Sequence, residues 1–257
     1  MNFIAVLSTP PDTRFLKGEV TMKIISKILL TSGLLAVAST ASHAQSSPTF
    51  EGFYGQAGIG YEMVSPSLSL GNINVTGTGP AVGSYPFSSS VSNSNSFAGT
   101  VTIGYNYAFS KDFLLGLGAE YSPIAGTKAN YSGSNAQLGS ANGQYNKENS
   151  YNIFLSPATP IGKDGLLYGK VGFTGASVKA QINGGSSSTS NLTGYSLGLG
   201  YKQFITGGLY GFGEVNYASY SNNTSNETVS AGTYRLSQNS TISANVTNFL
   251  VGIGYKF

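Results

Sequence analysis

The sequence contains no cysteine, which removes disulfides and thiolate metal sites together. Tryptophan is also absent, and the only histidine, His43, falls in a segment read below as a cleaved leader. A mature chain without His or Cys has no imidazole or thiolate to activate a nucleophile or to ligate a transition metal. Carboxylate-only catalysis would need two acids converging on one point. The expectation is therefore a protein that is not an enzyme and takes no cofactor. Charge is scarce as well: 9% of the chain is Asp, Glu, Lys or Arg, and residues 45–257 hold nine basic against eight acidic side chains. That balance leaves no basic surface for nucleic acid. Beyond the N-terminal region no apolar run reaches the ~20 residues that a transmembrane helix requires.

What is present is aromatic and small. The chain has 17 Tyr, 14 Phe and 35 Gly. The aromatics recur at regular spacing, which argues against disorder and for an all-β chain rich in turns. Residues 1–21 read as an over-long start. Met22-Lys23-Ile24-Ile25-Ser26-Lys27 opens a second N-terminus, followed by the apolar run Ile28 to Ala38 and by Ser42-His43-Ala44. This is the layout of a secretory signal peptide over residues 22–44, with cleavage between Ala44 and Gln45, leaving residues 45–257 as one exported domain.

Eight segments then alternate in polarity with a period of two, the signature of strands with two unlike faces. Strand one is expected from Gly52 to Met63, and strand two carries Phe97, Val101, Ile103, Tyr105, Tyr107 and Phe109 on one face. Strand three runs from Phe113 to Tyr121, strand four from Ser150 to Ala158, strand five from Leu167 to Gly175, and strand six through Tyr195 to Lys202. Strand seven, Leu209 to Tyr220, places Tyr210 and Phe212 on the opposite parity from Val215 and Tyr217, so a bulge near Gly213 is expected. Short turns such as Ser110-Lys111-Asp112 alternate with long Ser/Asn/Thr/Gly-rich stretches, Val64 to Asn95 among them, which read as mobile loops. Strands of ~10 residues with short and long connections in strict alternation fit a membrane-spanning antiparallel up-and-down barrel of eight strands. Ten strands remain the alternative, with Leu68 to Val75 or Val229 to Leu236 as additional spans.

The last strand carries the most specific pattern. Phe249, Val251, Ile253, Tyr255 and Phe257 take every odd place, with Leu250, Gly252, Gly254 and Lys256 between them. With this motif the region Glu51 to Phe257 resembles the small outer-membrane β-barrel proteins of Gram-negative bacteria, the group of OmpA-type domains, OmpX, OmpW and the opacity proteins. The resemblance implies that Phe249, Val251, Ile253, Tyr255 and Phe257 form an assembly signal read by the barrel assembly machinery after delivery by periplasmic chaperones. It also implies outer-membrane lipid and lipopolysaccharide as surroundings, and surface loops able to meet host, phage or cell-surface ligands.

Inward-facing charges are the remaining candidates: Glu62, Glu120, Lys170, Lys202 and Glu214, with Lys256 near the chain end. They either neutralise one another in a water-poor lumen or line the constriction of a gated pore. Depth counting pairs Lys170 with Glu214 and leaves Glu62 and Glu120 near the outer mouth, with loop residues Lys128 or Lys147 as possible partners. A structural or surface-interaction protein is the leading functional reading, and a narrow porin or conduit for small apolar molecules is the alternative. Tyr85, Tyr131, Tyr145 and Tyr234 in the long stretches are candidate adhesion contacts or loop-packing residues.

Overall fold

A computed structural model describes residues 49–257; the expected leader, its cleavage point at Ala44 and Gln45, and residues 1–21 lie outside the described residues. The elements in chain order are β1 (Gly52–Leu70), β2 (Ile73–Gly77), β3 (Gly83–Tyr85), β4 (Ser88–Val91), β5 (Ser94–Ser110), β6 (Phe113–Ser122), β7 (Ala129–Asn135), β8 (Gly139–Ile161), β9 (Gly165–Ile182), β10 (Ser187–Thr206), β11 (Leu209–Ala231) and β12 (Tyr234–Lys256). Hydrogen bonding runs β1-β5-β6-β8-β9-β10-β11-β12 and returns to β1, an antiparallel ring of eight strands. Closure through Tyr54↔Lys256 to Leu70↔Ser240 leaves no open edge, the condition for a sheet surrounded by lipid.

The eight-strand expectation holds, and the extra segments at Leu68 to Val75 and Val229 to Leu236 do not add strands to the ring. The long stretches are not loops, which corrects the expectation made for them. β1 continues seven residues past Met63 to Leu70, β8 begins at Gly139 and not near Ser150, and β11 and β12 pair out to Ala231↔Tyr234. The region beyond Val64 also holds β2, which pairs with β12, and β4, which pairs with β7. The barrel wall therefore extends well past the membrane band as paired sheet. Two-residue connections close its hairpins: Gly207-Gly208 between β10 and β11, with Gly207 at φ 54°, and Gly232-Thr233 between β11 and β12, with Gly232 at φ 61°.

The bulge expected near Gly213 is absent. β11 keeps unbroken register with β12 from Leu209↔Tyr255 to Tyr220↔Ala244, and its shift lies between Tyr220 and Asn223. Tyr210 and Phe212 point into the lumen, 0% and 7% exposed, while Val215 and Tyr217 face out. The change of aromatic parity is a change of face, not of backbone.

Two outward girdles bound an apolar band. Tyr61, Phe97, Tyr121, Tyr151 and Tyr217 form the outer ring, and Phe53, Phe109, Phe113, Tyr201, Tyr255 and Phe257 the ring at the short turns; all are exposed. Phe53 to Tyr61 is about eight residues of tilted strand, roughly 20 Å, close to the ~25 Å band of transmembrane barrels. Outside the outer girdle the polarity of the faces reverses. Leu70, Ile73, Val75, Phe87, Tyr131, Tyr145 and Ile182 are buried inside the extension as a hydrophobic core of its own. Tyr85 and Tyr234 are partly buried and pack against that core, so all four tyrosines take part in the packing of the extension. Burial pushes the phenols of Tyr131 and Tyr145 up to about 12.

Candidate functional site

The lumen of the membrane band is built from inward positions of all eight ring strands, and glycine decides what fits there. Tyr54 lies opposite Gly104, Phe154 opposite Gly118, Tyr168 opposite Gly200, Phe212 opposite Gly252 and Tyr210 opposite Gly254. In each pair the ring lies over the glycine, where an added Cβ would collide with it. Small residues on one strand thus make room for the rings of the next, and the interior closes with side chains.

At the base, Phe50 stacks on Phe204 with centroids 4.0 Å apart, and Tyr210 meets both rings edge-on at 6.0 and 6.2 Å. Asn106 Nδ2 donates to the Phe50 carbonyl at 2.9 Å and holds this aromatic stopper under the barrel. Above it sits Lys202, 4% exposed, with its ammonium 3.8 Å from the Tyr54 ring centre, 5.0 Å from Tyr168 and 5.1 Å from Tyr210. Among the described residues no carboxylate lies within 4.0 Å of Lys202, so three ring faces surround its charge.

Lys170, on β9, occupies mid-height. Its Nζ donates to Glu120 Oε2 at 2.9 Å and to Glu214 Oε1 at 3.2 Å, with side-chain exposures of 2%, 10% and 0% for the three residues. Tyr168 donates to Glu214 Oε2 at 2.7 Å and Asn216 Nδ2 to Glu214 Oε1 at 2.9 Å, so the buried carboxylate has partners on both oxygens. Thr102 donates to Glu120 at 3.2 Å, and Asn216 also donates to Asn248 Oδ1 at 2.9 Å. Desolvating two carboxylates and an ammonium is tolerable only in such a fully bonded arrangement. Further out, Lys147 on β8 donates to Glu62 at 2.6 Å, both side chains being buried. A cavity of ≈ 40 Å³ between the two tiers, lined by Glu62, Glu120, Asn152, Thr174 and Asn216, has room for little more than water.

Of the five lumen charges expected from sequence, the structure brings Glu120, Lys170 and Glu214 into contact and sets Glu62 and Lys202 apart. Glu120 has a strand lysine as its partner, which corrects its expected reliance on a loop residue or on solvent. Lys147 sits on a strand and faces inward, not in a loop. Counting Lys147, three buried or nearly buried lysines face three glutamates in the lumen. Sequence reasoning missed Tyr168 and Asn216 as partners and Tyr54, Tyr168 and Tyr210 as the surroundings of Lys202. The usable signal is an aromatic of inward parity opposite a glycine. Among the described residues no three His, Cys, Asp or Glu side chains converge as metal ligands. Phe249, Val251, Ile253 and Tyr255 on β12, and Phe257 just after it, all face outward, 50–64% exposed, and the Phe257 amide donates to the Phe53 carbonyl at 2.9 Å.

OprG from Pseudomonas aeruginosa is 16% identical with a TM-score of 0.49, over 80% of this chain and 96% of that one. Ail of Yersinia pestis, solved with the heparin analogue sucrose octasulfate, is 14% identical with a TM-score of 0.38, over 80% and 99%. The outer membrane protease OmpT from Escherichia coli is 10% identical with a TM-score of 0.43, over 81% and 98%. No curated protein matches the sequence. Residues 32–257 match the outer membrane protein beta-barrel domain, and the chain belongs to that family of small Gram-negative outer-membrane barrels.

Proposed function

We propose that this outer-membrane barrel is a non-conducting, non-enzymatic anchor that displays its extracellular extension for surface interactions. The observation that carries the reading is the lumen at mid-height, where Lys170 bridges Glu120 and Glu214 above an aromatic stopper of Phe50, Phe204 and Tyr210. A bonded, charge-balanced plug in a ring of eight strands leaves no continuous water column. The wild-type protein in planar bilayers is expected to give no discrete conductance. Reproducible wild-type channels that vanish in Lys170→Ala or Glu214→Ala would overturn the proposal.

A second reading, capture of small apolar molecules from outside, draws on a cavity of ≈ 70 Å³ in the extension, lined by Val64, Leu68, Val91, Leu192 and Ile242. Lys147, which also lines it, is paired with Glu62 beneath, so this cavity ends on a buried ion pair. Uptake of a labelled hydrocarbon into cells that depended on this protein would favour the second reading over the first. We propose further that Phe249, Val251, Ile253, Tyr255 and Phe257 are the assembly signal and that processing occurs between Ala44 and Gln45. Full membrane insertion of a Phe257→Ser variant would contradict the first assignment, and an N-terminus other than Gln45 on the mature protein would contradict the second.

A further inference from the structure

The outward face of the extension carries a feature that neither the lumen nor the assembly strand uses. β4, β7, β8 and the turn after β9 lie side by side, and their register aligns one outward residue from each. Ser90 pairs with Ser132, Ser132 pairs with Asn142, and the Asn183 amide donates to the Asn142 carbonyl at 2.9 Å. Two hydroxyls and two carboxamides therefore form a straight row across the sheet, spaced by the ~4.8 Å between strands and spanning ~14 Å.

Next to it, Ser92 and Asn130 lie one step closer to the membrane, and Gln144 Nε2 donates to Asn130 Oδ1 at 3.1 Å, which fixes that carboxamide. Together these residues line a concavity of ≈ 420 Å³, within the ~300–1,000 Å³ range of small-molecule sites. The side chains of Ser90, Ser132, Asn142 and Asn183 make no hydrogen bond among the described residues. No charged side chain lines the depression.

We propose that this row is a binding site for an uncharged saccharide. Hydroxyl and carboxamide groups each offer both donors and acceptors, which matches the mixed donor and acceptor character of sugar hydroxyls. An anionic glycan would find no cation there, and an apolar ligand would strand the row unpaired. The row lies on the outer wall some nine residues beyond the Tyr151 girdle, ~20 Å further out, at the level of sugars and not of lipid headgroups. The ring of Tyr131 faces the interior and is 3% exposed, so no aromatic platform adds to the hydrogen bonds. Affinity is accordingly weak, with Kd on the order of 1 mM from a few exposed hydrogen bonds.

This proposal rests on the surface-display reading and gives it a ligand class. The test places the purified barrel in phospholipid nanodiscs and measures binding of neutral and of sulfated or sialylated oligosaccharides by saturation-transfer NMR. Neutral oligosaccharides are expected to bind, and Asn142→Leu in the strand and Asn183→Leu in the turn each weaken binding roughly tenfold. Both variants must keep the heat-dependent gel mobility of a closed barrel, and Asn183→Leu, outside the strands, supplies the readout if Asn142→Leu misfolds. No neutral binding up to about 10 mM, a preference for anionic glycans, or unchanged affinity in folded variants each overturns the site. Nanodiscs containing full-length lipopolysaccharide assign the source. Loss of soluble-sugar binding there points to the sugars of the same leaflet, and retained binding points to a free or foreign glycan; either supports the site. Conductance of the wild-type barrel would remove the display reading without touching saccharide binding, so the two failures are separable.

Discussion

The same strands build two regions with opposite interiors. In the membrane band β12 turns Phe249, Val251, Ile253 and Tyr255 outward and Leu250, Gly252 and Gly254 inward. In the extension it turns Thr247, Asn245, Ser243 and Thr241 outward and Val246, Ala244 and Ile242 inward. Register of β12 with β1 is continuous through both halves, from Tyr54↔Lys256 to Leu70↔Ser240, while β8 and β11 shift register just beyond the girdle, at Lys147/Asn149 and Tyr220/Asn223. β1 makes the same exchange, from outward Ile59 and Tyr61 to inward Val64 and Leu70. Along β1 and β12 the pairing does not change at the outer girdle; the solvent does. Below it the outside is lipid and the inside is a bonded polar and aromatic plug. Above it the outside is water, and the inside is an ordinary hydrophobic core.

The contrast can be broken most severely from inside the band. Lys170→Ala strands Glu120 and Glu214 without their shared cation, and urea unfolding in lipid is expected to show a loss of ~3–5 kcal/mol. By comparison Lys179→Ala, at the exposed 4.0 Å contact with Glu148 on the extension, should cost less than about 0.5 kcal/mol. Outward lysines sharpen the boundary itself. Val251→Lys in the lipid-facing band is expected to cost ~2–4 kcal/mol, whereas Ser243→Lys, eight residues further out on the same face, should be neutral to within about 0.5 kcal/mol. Equal costs at the two positions would contradict the assigned change of solvent. Overpacking is smaller: Gly200→Ala pushes a methyl into the Tyr168 ring and the Glu214 stem, for a loss of ~1–3 kcal/mol in the same assay.

The smallest effect concerns pH and belongs to the extension. Tyr131 and Tyr145 are held neutral by burial, each raised from 10.0 to about 12. A phenol raised on folding contributes stability that is fully present below pH 10 and is lost as pH rises through 12. Limited proteolysis of the extension should therefore accelerate between pH 10 and 12 while the membrane band stays resistant, and Tyr131→Phe with Tyr145→Phe should reduce that acceleration.

These two regions also explain what could be read from sequence. In the band, alternation of apolar and small residues around Phe97 to Phe109 and Phe249 to Phe257 predicts strands, face and ring size. In the extension the apolar residues move to the other parity, as Ile242, Ala244 and Val246 do before Phe249, and they are diluted by Ser, Thr and Asn. Read with one fixed parity, such a segment looks like loop, which is why Val64 to Asn95 and Ser122 to Asn146 hide β2, β4, β7 and the ends of longer strands. The Lys170 and Glu214 pair follows from counting along strands. Its third member, Glu120, joins from β6 across the lumen, a direction that strand-by-strand counting does not include. The ring surroundings of Lys202 combine Tyr54, Tyr168 and Tyr210 from three strands, so they follow from barrel closure and not from any local motif.

The change of solvent at the outer girdle is open to one direct measurement. Single spin labels placed at outward β12 positions 241, 243, 245, 247, 249, 251 and 253 report accessibility to oxygen in lipid and to a polar relaxant in water. A single sharp step between Thr247 and Phe249, with lipid on the Phe249 side, is the result expected. Lipid accessibility continuing outward to Thr241, or no step along the strand, would contradict the account.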